Sequence, residues 1–322
     1  MQVMETSKTV LGAEHPSTLT SMANLASTYW NQGRWNEAEK LFLQVMETRK
    51  TVLGAEHPIT LVSMANLAST YRNQGRWNEA EKLFLQVMET RKTVLGAEHP
   101  DTLTSMANLA STYRNQGRWN EAEKLDMQVM ETSKTVLGAE HPNTLTSMAN
   151  LASTFWNQGQ WNEAEKLEVQ VMETSKTVLG AEHPDTLTSM VNLAYTWKYQ
   201  GRVLEALALL EESCRLRHKV LSPAHPSTRD AVDALDEWQG EHDLILNERL
   251  PPPQIEQSEH LQQVLPQHTA AEILAQSHRH ISLPQTPGRL ALAFLSGDHP
   301  LIIASRTLSP TSRGQATQEE VD

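Results

Sequence analysis

Cysteine is all but missing from this 322-residue chain. Cys214 stands alone, which excludes an intramolecular disulfide and a cysteine-based zinc site. A reducing, cytoplasmic setting is the natural expectation. Long hydrophobic runs are missing too: nowhere do about 18 apolar residues follow one another, and no charged segment with an apolar core opens the chain. Secretion and membrane spanning are therefore unsupported. The chain also lacks Gly-x-x-x-x-Gly-Lys-Ser/Thr, Gly-x-Gly-x-x-Gly and Gly-x-Ser-x-Gly. No nucleotide site, cofactor or catalytic role is expected.

A basic stripe is absent as well. The net charge of −12 is uneven, with 21 Lys+Arg against 25 Asp+Glu over residues 1–222 and 6 against 14 over residues 223–322. A nearly neutral body with an acidic end argues against nucleic acid as a partner, because phosphate recognition needs clustered cations.

What the chain has in abundance is repetition. Ten of its 14 glycines fall on two positions 21 residues apart, Gly12 and Gly33 and their successors, every 42 residues. Leu-Gly-Ala-Glu-His-Pro begins at Leu11, Leu53, Leu95, Leu137 and Leu179, with a weathered copy at Leu221. Residues 11–52 and 53–94 differ at three of 42 positions: Ser17/Ile59, Thr20/Val62 and Trp30/Arg72. Such regularity marks a repeat architecture, with copies at 11–52, 53–94, 95–136, 137–178 and 179–220.

Each copy carries two helical patterns. Pro16 suits the first turn of a helix, and Leu19, Met22, Leu25, Ala26 and Tyr29 recur at three- and four-residue spacing before Asn31-Gln32-Gly33 ends the run. Trp35, Ala38, Leu41, Val45 and Val52 mark a second stripe, with Asn36 and Glu39 spaced as a capping box and Gly54 closing it. The short connection makes the pair antiparallel. One pair cannot bury both stripes, so copies must stack. Ala26 and Ala38 leave room where helices cross, and Tyr29, Tyr71, Tyr113, Phe155 and Trp197 fill the space beside them. The expected fold class is all-α.

The order Asn24-Leu25-Ala26-x-x-Tyr29, Gly33, Glu37-Ala38 resembles tetratricopeptide repeats over about residues 1–240. The 42-residue period and the Leu-Gly-x-x-His-Pro link are similar to kinesin light chains. Ser-Met-Ala-Asn-Leu-Ala-Ser-Thr-Tyr and Gln-Val-Met-Glu-Thr are more similar still to the C-terminal arrays of fungal NLR-like (NB-ARC/NACHT) NTPases. The resemblance implies a right-handed α-solenoid with the first helices lining a concave groove. It implies a non-catalytic scaffold for protein or peptide partners, the sensor portion of such an NTPase. A kinesin-light-chain-like cargo adaptor and a self-associating structural solenoid are the alternatives.

Both ends depart from the pattern. Residues 1–10 align with the second half of a second helix, so the chain reads as a fragment or a late start, expected to fray and self-associate there. Residues 223–250 read as a capping helix, centred on Ala231, Val232, Leu235 and Trp238. Residues 251–322, with Pro251-Pro252-Pro253, read as a disordered acidic tail. An apolar island at 290–304 reads as a hairpin or docking segment, or as part of that disorder.

Candidate sites follow from the repeats. The link histidines His15, His57, His99, His141, His183 and His225 lie one per copy, about 8–10 Å apart, too far to share a zinc with nitrogens at about 2 Å. They read as turn residues before a helix-starting proline. Glu37 and Glu39 read as solvated first-turn acids favouring the helix dipole. On the first helix, Asn24, Asn66, Asn108, Asn150 and Asn192 precede the core leucine and fall on the side that the resemblance exposes. An amide both donates and accepts. At about 10 Å per copy and about 3.3 Å per extended residue, each would meet every third peptide residue. They serve equally as hydrogen bonds between helices. The last first-helix position runs Trp30, Arg72, Arg114, Trp156, Lys198. Two central guanidiniums flanked by indoles suit an acidic or phosphorylated peptide.

Overall fold

The computed structural model describes residues 2–249, so the proline-rich tail and its apolar island lie outside the described residues. All described secondary structure is helical: α1 Gln2–Leu11, α2 Pro16–Asn31, α3 Trp35–Leu53, α4 Pro58–Asn73, α5 Trp77–Leu95, α6 Pro100–Asn115, α7 Trp119–Leu137, α8 Pro142–Asn157, α9 Trp161–Val178, α10 Pro184–Tyr199, α11 Val203–Val220 and α12 Pro226–Arg249. These fall into two compact units, residues 2–160 and 161–249.

The link determines where first helices begin. In α2, α4, α6, α8 and α10 a histidine is the N-cap, its Nδ1 accepting from the backbone N–H two residues on, with proline at the first helical position. Proline donates nothing there, and the ring nitrogen satisfies one of the remaining orphan donors. At the far end of α2, Arg34 N–H reaches Tyr29 C=O at 2.9 Å and Gly33 N–H reaches Trp30 C=O at 3.0 Å. The φ of 72° at Gly33 is the left-handed conformation this closure needs. Second helices end at glycines such as Gly54, with φ 96°.

In the first unit, α2 to α7 make three antiparallel pairs, with α1 against α2 and α8 against α7. Ala26, Ala38, Ala68 and Ala80 are fully buried, so adjacent helices approach closely, and Phe42 and Phe84 fill the space beside them. Each ring contributes roughly 2–3 kcal/mol by burial. The α1 helix buries no residue, and only Met4 packs partly against Leu19, Met22 and Val45.

Several second-helix residues behave differently from their expected roles. Trp35 and Val52 are exposed although their spacing places them in the apolar stripe. Asn36 and Glu39 form no capping box, because the cap residue is Arg34 and makes no side-chain cap bond. They instead tie one copy to the next: Gln74 Nε2 donates to Asn36 Oδ1 (3.1 Å) and Glu39 Oε2 (2.8 Å), and Arg76 Nη1 donates to Glu39 Oε1 (2.7 Å). Arg76 also pairs with Glu79 and lies 4.0 Å from the centre of the Tyr71 ring. The same clamp recurs at Gln116, Arg118, Glu81 and Tyr113. Glu37 pairs with Arg34, which holds its carboxyl below the usual carboxylate range.

In the second unit, α9, α10 and α11 pack in sequence and α12 covers α11. Gln200 and Arg202 repeat the clamp on Glu165. The covering helix buries Ala231, Ala234 and Trp238, the last in an edge-to-face contact with Tyr195 at 4.8 Å.

Candidate functional site

The candidate surface in the first unit is the open face of α2, α4, α6 and α8. On α6 the partly or fully exposed positions Thr104, Asn108, Ser111 and Asn115 recur at spacings of three and four, which is one helix face. Asn24 is exposed, Asn108 half-buried, and Asn66 and Asn150 are nine-tenths buried or more. The amide ladder is thus graded, open on α2 and sunk between helices on α4 and α8. The Asn150 side-chain oxygen is buried without a hydrogen-bond partner among the described residues. In the second unit Asn192 is buried with its amide oxygen in the same condition.

The tryptophan–arginine series sits elsewhere than the sequence reading placed it. Trp30 is 9% exposed and belongs to the core with Ala26 and Phe42. Arg72 is 4% exposed, its guanidinium 5.8 Å from the Phe84 ring centre. Arg114 Nη1 is 2.6 Å from Asp126 Oδ2, with side-chain exposures of 8% and 1%. The physical reason is helical period: position 30 follows the core positions Met22 and Ala26 by eight and four, so it points inward. A guanidinium already neutralised by Asp126 is not available to a ligand anion, so capture of an acidic peptide by Arg114 is set aside. Trp156 is half-buried. Lys198 is also engaged, 2.8 Å from Glu241 and 4.6 Å from the Trp238 ring centre.

Asp126 escaped the sequence reading: the position held by Phe42 and Phe84 in the first two copies carries a carboxylate in the third. Burial pushes the Asp126 carboxyl up, while Arg114 and Thr154 act against that rise. A further buried guanidinium, Arg91, donates to Ser105 Oγ and Asp101 C=O. Desolvation lowers its pKa. Also unforeseen is an outer row of amides at the ends of the first helices, Asn31 and Asn115 exposed, Asn73 and Asn157 half-buried, with Asn157 Nδ2 donating to Ser153 C=O. The sequence hides them because asparagine before Gln-Gly reads as a helix stop. Among the described residues no group of three or more His, Cys, Asp or Glu is placed to hold a metal ion. None of the described helices is long and apolar enough to cross a membrane.

The tetratricopeptide-repeat profile matches residues 1–51, 23–92, 60–123, 107–177 and 150–219. The chain belongs to the tetratricopeptide-repeat family. Its fold class is accordingly the all-α tetratricopeptide solenoid. Among solved structures, it resembles the nearly identical TPR-like repeats of a candidate kinesin light chain from Podosopora anserina, at 36% identity and a TM-score of 0.54, over 65% of this chain and 99% of that one. The apo quorum sensor NprR of B. thuringiensis shares the fold at 15% identity and a TM-score of 0.58, over 74% of this chain and 64% of that one. A Rap protein complexed with competence and sporulation factor does so at 10% identity and a TM-score of 0.53, over 70% and 67%. A search of curated proteins finds no significant match. Tetratricopeptide solenoids are typically scaffolds for protein–protein interaction, and no enzymatic family is indicated.

Proposed function

We propose that this array is a non-catalytic scaffold that holds an extended segment of another protein along the open face of its first helices. The observation that carries the reading is the open amides of the first-helix faces: the side chains of Asn24, Asn108 and Asn115 make no hydrogen bond among the described residues, and an amide can both donate to and accept from a peptide main chain. Amides bind main chain rather than particular side chains, so recognition is tolerant of sequence. Charge selectivity for acidic or phosphorylated ligands loses its main support, since Arg114 is spent on Asp126.

In the wider protein, this reading makes the array the sensor portion of a fungal NLR-like protein, on the strength of the recurring Ser-Met-Ala-Asn-Leu-Ala-Ser-Thr-Tyr wording. A second reading, a kinesin-light-chain-like cargo adaptor, is favoured by the 36% identity to the Podosopora anserina repeats.

The test uses peptides selected from a random library on the full chain. Asn24→Ala with Asn108→Ala should weaken their binding tenfold or more, about 1.4 kcal/mol, with helicity unchanged. Undiminished binding to the double variant counts against the groove.

A further inference from the structure

The second helices of the first unit carry a pattern that the peptide groove does not use. Leu43, Leu85 and Met127 are 39%, 41% and 41% exposed, one per copy, on the outward faces of α3, α5 and α7. Copies stack at about 10 Å, so these residues recur as an apolar row, a ridge of one side chain per copy. Three residues before each lies an exposed lysine, Lys40, Lys82 or Lys124, and four after each an exposed glutamate, Glu47, Glu89 or Glu131. The ridge therefore runs between a cationic row and an anionic row.

These two rows are unlike several first-turn carboxylates of the same helices. Glu37, Glu39, Glu79, Glu81 and Glu121 are all held by arginines. By contrast, the three lysines and three glutamates that flank the ridge form no ion pair among the described residues. Each lysine and glutamate lie seven residues apart, about 10 Å along the axis, beyond each other's reach. They cannot satisfy one another within one molecule.

A second copy can satisfy them. A twofold axis along the ridge reverses the helix direction, so that Lys40 faces Glu47 of the other molecule and Glu47 faces its Lys40, while leucine meets leucine. This is the self-complementary arrangement an isologous interface requires. We infer that the outward face of α3, α5 and α7 is the interface of a reversible homodimer. The stretch from residue 36 to 51 spans about 22 Å. Across three helices at about 10 Å spacing the footprint is about 600 Å² per copy, somewhat under the about 800 Å² of a standard stable interface. The pairing is therefore weak and salt-dependent, since exposed ion pairs are screened. The pattern ends with the first unit's helices. In α9 Lys166 is already paired with Glu163 at 2.7 Å, and α11 carries Ala208, Glu211 and Arg215 at the three positions.

Sedimentation equilibrium of the full chain tests this. The wild type should move from monomer towards dimer with rising concentration at low salt and return to monomer at high salt. A triple variant Lys40→Glu, Lys82→Glu, Lys124→Glu and its counterpart Glu47→Lys, Glu89→Lys, Glu131→Lys should each be monomeric, and an equimolar mixture of the two should dimerise again. If either triple variant loses helicity, Leu85→Cys replaces it, because the twofold brings two copies of position 85 together. A short bis-maleimide should then link that variant as a dimer. A wild type monomeric at every concentration, a dimer that both triple variants retain, or a Leu85→Cys chain that does not cross-link overturns the inference.

Discussion

Arg114 and Asp126 form a buried ion pair between α6 and α7, 2.6 Å apart. Thr154 of α8 donates its hydroxyl to the same carboxylate oxygen at 2.6 Å. Arg114 Nη1 also reaches Asn150 C=O at 3.3 Å, so one guanidinium joins three helices. In the preceding copy the residue equivalent to Asp126 is Phe84, its ring centre 5.8 Å from the Arg72 guanidinium.

That difference predicts unequal substitutions at position 126. Asp126→Ala leaves a buried cation without its counter-charge and should cost about 3–5 kcal/mol. Asp126→Phe also removes the counter-charge but sets beside Arg114 the ring that lies beside Arg72, and should cost less than Asp126→Ala through the cation–π contact. Urea midpoints at constant slope measure both. Equal losses would mean that the pair contributes shape alone.

The sequence made the helices legible and the site only partly so. Proline after histidine and glycine after Asn-Gln report on backbone geometry at single positions, and the structure places the helix ends there. Side-chain direction is harder. Trp30 looks like a groove residue because it varies, yet its spacing from Met22 and Ala26 already assigned it to the buried face. Glu39 looks like a cap because its partner, Arg76, is 37 residues away in sequence. Contacts between copies are invisible to a reading that stays within one copy.

The clamp between copies supplies a second prediction. Gln160 stands where Arg76 and Arg118 stand in earlier copies, and its amide reaches only Gln158, while Gln158 alone holds Glu123. Gln160→Arg should add the missing ion pair to Glu123 and stabilise the chain by about 0.2–1 kcal/mol, the range of exposed pairs. Arg118→Gln should lose a similar amount. No rise in melting temperature for Gln160→Arg at low salt would show that the amide clamp already suffices.

Histidine capping supplies the third. His99 Nδ1 accepts from Asp101 N–H at 3.1 Å. His99→Ala removes that acceptor and should cost about 1 kcal/mol, whereas His99→Asp keeps an oxygen in the cap position and should cost only a few tenths. If both variants melt alike, the imidazole contributes by packing rather than by capping.

Glu168 makes the stability of the second unit depend on pH. Its side chain on α9 is 4% exposed, and Oε2 has no hydrogen-bond partner among the described residues. Burial pushes the carboxyl up to about 7, with the Thr196 hydroxyl opposing and the Glu165 charge adding to the rise. The folded state therefore holds a proton that the unfolded state, near the ordinary 4.5, has already lost. Between those two values the folded state binds more protons, so stability falls as pH rises, and it levels off above about 7. The full effect is bounded at about 3 kcal/mol, since every tenfold change in proton affinity corresponds to about 1.4 kcal/mol. Glu168→Gln cannot ionise, keeps the shape and should remove this component, leaving the variant more stable than the wild type at pH 8 and little different at pH 4. Denaturation midpoints of both chains across that interval isolate Glu168 from every other titrating group, because the others are common to the pair. A constant difference between the two curves would mean that Glu168 is solvated in the folded chain and carries no buried charge at neutral pH.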